Sequence, residues 1–262
     1  MGKIGLMAGI IVIVVILAAV GYYFMSGSDN PEDGLSATIN GSDLTYAEMT
    51  EKFGTKVVNG KEGVPLGALV NDTALVNPGT YAFVLEATDG YAMAVNWTAL
   101  QTGMLTLQNE TEDGTVTYFL RLYFPDLPSA YNVGSAGKDF SKLTPAAGLS
   151  PVVCNGMEFY LDYMPKRVCE KTIAYNDTYS PTGWSLSDIV NFTGLANPES
   201  HEYTVVGYDA TDDEPWYNKT VTWDGMLQGV LVDDEVRVRF ADSTMYATGR
   251  YSVSHVIEIV VE

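Results

Sequence analysis

The chain repeats itself, and this limits its fold more than any other feature. Ile39-Asn40-Gly41, followed by Leu44 and Met49, returns as Cys154-Asn155-Gly156, followed by Phe159 and Met164. Residues 69–78 return as 189–198, and both stretches close in Asn-Pro. Val95-x-Trp97-x-x-Leu100-x-x-Gly103-x-Leu105 returns as Val221-x-Trp223-x-x-Met226-x-x-Gly229-x-Leu231. Residues 120–126 return as 236–242, and Tyr131-x-Val133 as Tyr251-x-Val253. The blocks keep their order while the offset drifts between 115 and 126, as it does when insertions fall in loops. A period of this length means two tandem domains, not a solenoid of small units.

Each copy reads alike. An opening strand ends at an Asn-Gly turn. A short helix over residues 42–49 begins with good capping residues, and in the second copy Pro165 ends its equivalent early. A second helix is expected near residues 64–69 and 185–190, with Ser185 and Asp188 as a capping pair, and Asn-Pro breaks it. Residues 81–85 and 203–206 are rich in strand formers. Residues 221–223 read as a strand running into one helical turn at 224–227. Further strands are expected over 120–124, 236–240 and 253–261. Short helices among many strands give an α+β fold. The Gly-, Ser-, Ala- and Pro-rich stretch 127–150 reads as an interdomain linker or an ornamented loop. The domains are then 37–134 and 151–262, with a linker over 135–150.

Residues 4–25 carry no charge and are long enough to span a bilayer as one helix. Tyr22, Tyr23 and Phe24 close the segment where an interfacial belt would lie, Lys3 precedes it, and an acidic linker over 26–36 follows. The expectation is a single-pass anchor over 1–25 in the cell membrane, N-terminus cytoplasmic and bulk extracytoplasmic. A cleaved signal peptide or a pilin-type filament helix are the alternatives. Asn40, Asn71, Asn96, Asn109, Asn176, Asn191 and Asn218 each open an Asn-x-Ser/Thr sequon and are glycosylation candidates in such a setting. There Cys154 and Cys169, the two cysteines, are expected to form a disulfide, worth roughly 3 kcal/mol by loop closure.

Charge removes one class of partner. With 33 acidic against 14 basic residues the net charge is -19, which repels phosphodiester backbones and excludes nucleic acid. With two His and two Cys in the whole chain, no metal site is expected. The acidic runs Asp209, Asp212, Asp213, Glu214 and Asp233, Asp234, Glu235 lack calcium-loop spacing and read as solvated surface. His201 and His255, present only in the second copy, read as surface or strand residues. No Ser-His-Asp order, His-Glu-x-x-His or phosphate-cradling Gly loop is present.

Several motifs carry a resemblance. Gly63-Val64-Pro65-Leu66, Asp89-Gly90-Tyr91, Leu120-Arg121-Leu122 and Pro125 in copy one, with Gly183-Trp184-Ser185-Leu186, Val236-Arg237-Val238 and Ile257-Glu258-Ile259 in copy two, resemble the molybdopterin-binding domain of the sulfite-oxidase-like oxidoreductases. The resemblance covers most of both copies and implies two tandem β-rich domains of that type. It also implies a molybdopterin cofactor if it extends to function. The family's metal-ligating cysteine falls in a loop that corresponds here to residues 56–60 and 171–175, and neither stretch holds a cysteine. No cofactor is therefore expected.

The leading expectation is a non-catalytic binding module for a small ligand, an envelope protein or a second copy of the chain. A molybdopterin-dependent oxidoreductase or redox-complex subunit is the alternative, and a structural surface or filament protein a third. The matched pairs Asp89 and Asp209, Trp97 and Trp223, Arg121 and Arg237 are the candidate ligand-binding residues. Core packing is the competing role for the two tryptophans.

Overall fold

A computed structural model describes residues 31–176, 178–208, 217–233, 235–241, 244–246 and 253–262. In each repeat the chain folds into one five-stranded and one four-stranded sheet, with the same strand order in both. In repeat one the larger sheet holds β1 (Ser36–Ile39), β2 (Ser42–Thr45), β5 (Ala82–Ala87), β6 (Ala92–Asn96) and β9 (Phe140–Ala146), in the order β2-β1-β9-β5-β6. The smaller holds β3 (Lys56–Val58), β4 (Lys61–Pro65), β7 (Met104–Glu112) and β8 (Thr115–Tyr123), in chain order. Repeat two matches it. Its larger sheet runs β11-β10-β18-β14-β15, from β10 (Val152–Cys154), β11 (Met157–Phe159), β14 (Glu202–Gly207), β15 (Tyr217–Thr222) and β18 (Val256–Val261). Its smaller sheet runs β12-β13-β16-β17, from β12 (Glu170–Thr172), β13 (Thr182–Ser185), β16 (Gly229–Val232) and β17 (Arg237–Phe240). In both larger sheets the opening strand pairs parallel with the closing one, β1 with β9 and β10 with β18. The irregularity at Glu86/Ala87 recurs at Val206/Gly207.

The matched glycines follow from this packing. A Cβ on Gly63 would lie 2.5 Å from the Leu105 carbonyl oxygen, and one on Gly183 would lie 2.4 Å from that of Leu231. One on Gly103 would strike the Phe124 ring and Leu66, and one on Gly229 the Phe240 ring and Leu186. The Asn-Gly pairs at 40–41 and 155–156 place both residues at positive φ, as tight hairpin turns require.

After a four-residue helical turn at Pro31–Gly34, the described residues hold five longer helices: α1 (Tyr46–Phe53), α2 (Leu66–Asn71), α3 (Trp97–Thr102), α4 (Leu186–Phe192) and α5 (Trp223–Leu227). Two sequence expectations need correction here. Residues 42–45 form β2, not the first turn of a helix; α1 starts after Thr45, whose hydroxyl accepts from the Glu48 N–H while Glu48 accepts from the Thr45 N–H. That reciprocal cap outweighs the earlier Ser-Asp pair. Residues 127–150 are more than a linker: Phe140–Ala146 is β9, which lies between β1 and β5 in the larger sheet and is the counterpart of β18. In α4 the Ser185 hydroxyl accepts from the Asp188 N–H.

The expected disulfide is absent. Cys154 is buried on β10 and Cys169 is exposed, and both are free thiols. The residues between them run along β11 and a 3-10 turn (Leu161–Tyr163), carrying Cys169 to the edge of the other sheet, where its carbonyl accepts from the Ser185 N–H. The expected single-pass anchor and its membrane placement are also corrected. Among the described residues no helix is long and apolar enough to cross a membrane, the longest being the 8-residue α1. The stretch 4–25, on which that expectation rested, lies outside the described residues.

One main apolar core runs through both repeats. Tyr131 of repeat one packs on Phe192 of repeat two with ring centroids 5.6 Å apart, and Phe159 adds an edge contact to Phe192 at 5.8 Å. The Tyr131 hydroxyl donates to the Glu158 carbonyl oxygen at 3.3 Å. Tyr160 of repeat two is buried among Ala82, Val84 and Ala94 on the outer face of β5 and β6.

Candidate functional site

Asp89 and Arg121, 32 positions apart in the chain, line the same cavity, of about 260 Å³. Asp89 occupies the β5–β6 turn, where its Oδ1 accepts from the Tyr91 N–H at 3.0 Å. Arg121 is central in the inner half of β8. Its neighbours Leu120 and Leu122 point into the core, so the strand's alternation turns Arg121 to the other face. Lys138 comes from the loop before β9. Lys166 reaches across from repeat two, its ammonium 4.3 Å from the centroid of the Tyr91 ring. The two lysine ammonium groups each lie 3.5 Å from Asp89 Oδ2. The wall at Gly134 is close: a Cβ there would fall 2.3 Å from the Leu120 carbonyl oxygen.

The electrostatics are those of a cationic pocket with one counter-charge. Asp89 is held below the ordinary carboxylate range, first by the Tyr91 N–H and then by Lys166 and Lys138. Burial pushes the Tyr91 phenol up, so it remains a neutral donor. Both lysines share Asp89, while the Arg121 guanidinium has no ion-pair or hydrogen-bond partner among the described residues. Three of the chain's 14 basic residues thus meet one carboxylate.

The remaining sequence candidates lie elsewhere. Trp97 opens α3 and stacks at 5.6 Å on Phe83; Trp223 opens α5 and stacks at 5.8 Å on Tyr203, both tilted by 42°. Closely matching geometry against matched core aromatics gives them a packing role, and neither lines the cavity. Arg237, the counterpart of Arg121, donates through Nη2 to Glu235, and its buried Nε has no partner among the described residues. Asp209, the counterpart of Asp89, lies outside the described residues, as do Asp212, Asp213, Glu214 and Asp234. Of the sequons, Asn40, Asn71, Asn109, Asn176, Asn191 and Asn218 are exposed; Asn96 is half-buried, and its side chain accepts from the Ala99 N–H as the cap of α3. His201 Nδ1 lies 3.1 Å from the Glu262 carbonyl oxygen at a strand end.

Sequence reasoning missed Lys138, Lys166 and Tyr91 as members of this site. Tyr91 stands in the quoted Asp-Gly-Tyr motif. The lysines lie outside the matched blocks, and only the rarity of basic residues marked them.

A second cavity, of about 240 Å³, lies at the repeat boundary between Ala94, Thr98 and Leu127 on one side and Met157 on the other. Its charged walls are Asp126 and Glu158, and Glu158 already accepts from the Tyr160 hydroxyl at 2.6 Å.

The molybdopterin implied by the motifs can be tested against the donors present. Molybdenum in that family needs a thiolate. Cys154 is buried, and desolvation with the nearby Glu258 charge pushes its thiol up to about 12. Cys169 stands at the edge of repeat two, and neither cysteine lines the cationic cavity. Among the described residues no three His, Cys, Asp or Glu side chains gather to hold a metal ion. The residues present do not fit a molybdenum–dithiolene centre. No family model matches the chain, and no curated protein or solved structure matches it either.

Proposed function

We propose that the protein is a non-catalytic binding module: two sulfite-oxidase-like repeats that hold a small ligand in the cavity at Asp89 and Arg121. The single observation that carries this reading is the convergence of those two matched positions with Lys138 and Lys166 in one cavity. The sequence motifs support the family likeness. A catalytic reading has less behind it, because among the described residues no hydrogen-bonded nucleophile–base pair and no thiolate lines the cavity. The cavity's small volume favours a low-molecular-weight ligand over a polymer.

The test is ligand-observed and amide-observed NMR on the full chain with four probe classes: inorganic phosphate, succinate, ethylammonium and glucose. Binding by any one class that moves the Tyr91, Gly134 and Ser135 amides is the expected result. If all four leave those amides in place, the cavity is not a ligand site and the reading fails.

A further inference from the structure

Deepening that reading, on which it rests, we propose that the ligand is a small molecule held through a carboxylate or phosphate oxyanion, with Arg121 as its main contact and Lys138 and Lys166 flanking it. Charge is the first ground. The protein as a whole repels anions, yet this cavity gathers three cations around a single carboxylate. Cations placed together without enough counter-charge repel one another, and an entering oxyanion relieves that repulsion.

Unused donors are the second ground. Asp89 Oδ2 takes one contact from each lysine, at the long distance of 3.5 Å, whereas an ammonium has three donors. Arg121 offers a planar fork suited to two parallel bonds with a carboxylate or phosphate, and nothing in the described protein fills it.

The third ground is independent and comes from the other repeat. Arg237 occupies the position of Arg121 and already carries a carboxylate, that of Glu235. That carboxylate comes from the β16–β17 turn, where Glu235 and Val236 both adopt positive φ, a conformation unusual for either side chain. Repeat two thus sets a carboxylate of its own on the arginine's Nη2, and repeat one leaves the same arginine, half-buried at the cavity, without a carboxylate among the described residues.

Calorimetric titration of the full chain with sodium phosphate and with sodium succinate at low ionic strength tests the assignment. The expected result is saturable binding of at least one of them at one site per chain, weakened about tenfold or more by Arg121→Met. Lys52→Met, which removes an equal charge from a surface pair with Asp72, should leave the affinity unchanged. Lys166→Met, at an exposed position, gives the same reading where Arg121→Met disturbs folding. Phosphate without succinate assigns a phosphate group, and the converse a carboxylate. Undiminished binding in both Arg121→Met and Lys166→Met overturns the proposal, as does an equal loss in Lys52→Met, which would mean diffuse charge. If ethylammonium or glucose moves the cavity amides and neither anion does, the binding module stands and the oxyanion assignment falls; if no probe does, both fall.

Discussion

Asp89 is where the site's selectivity can be tested one atom at a time. Its carboxylate competes with any incoming anion for Lys138 and Lys166, yet its other oxygen holds the turn through the Tyr91 N–H. Asp89→Asn keeps an acceptor for that N–H and removes the competing charge. Phosphate binding should therefore tighten severalfold in titration; weaker binding would mean that Asp89 itself holds the ligand. Because the native carboxyl is depressed, its contribution to stability is present above the unfolded value and is lost as pH falls through the folded one. The two cysteines make the opposite pair. Cys169, exposed, should react with a thiol reagent in the native protein, and Cys154 only after denaturation; zero thiols in denaturant would restore the disulfide. Burial raises the Cys154 thiol to about 12, so the neutral form stabilises the fold fully below the unfolded thiol value near ~8.5. That stability should drain away as pH rises toward 12, read as a falling denaturation midpoint. The burial of the Tyr131 and Tyr160 phenols acts in the same direction.

Among the elements, the glycines within β4 and β13 carry the clearest consequence of duplication. Neither Gly63 nor Gly183 sits at positive φ; each is small because a neighbouring strand's carbonyl crosses where a Cβ would be. Gly183→Ala should cost about 1–3 kcal/mol or more through backbone displacement, and Gly63→Ala a similar amount, measured by denaturant unfolding. A loss below that range in both would show that the strands separate freely. These glycines were legible in the sequence only as matched letters; their reason is a contact between strands far apart in the chain. Element order could be read because every block occurred twice, so a weak strand in one copy was supported by its partner. The start of α1 could not be placed from residues 42–45, since Ser-Asp and Thr-Glu both offer caps. The Thr45–Glu48 reciprocal pair decides between them only when Ser42–Thr45 is seen paired with Ser36–Ile39. The role of β9 was hidden for a related reason. Phe140–Ala146 has Ser141, Lys142, Thr144 and Pro145 among its apolar residues, and only its pairing with β1 and β5 makes it a strand. In the cavity, Asp89 and Arg121 were legible as matched positions. Lys166 was not, because it lies 77 positions from Asp89 and meets it only when the repeats dock.

That docking makes the site a property of the whole molecule. Repeat one supplies Asp89, Tyr91, Arg121 and Lys138, and repeat two supplies Lys166 from the segment that follows the 3-10 turn after β11. What keeps Lys166 over the Tyr91 ring is the apolar contact nearby, where Phe192 is packed between Tyr131 and Phe159. A core shared in this way couples the repeats, and the wild-type chain should unfold in one cooperative transition. Phe192→Ala removes the ring that Tyr131 and Phe159 both touch and should cost about 3–5 kcal/mol. Because that loss falls on the joint, the transition should split in two by calorimetry, with the repeats melting separately. Affinity for the oxyanion probe should fall with it, although Phe192 does not line the cavity. Separate melting with undiminished binding would show that Lys166 is dispensable and that repeat one holds the ligand alone. A single transition merely lowered in temperature would instead assign the coupling to Tyr160, seated on the outer face of β5 and β6, and the variant to make next would be Tyr160→Ala.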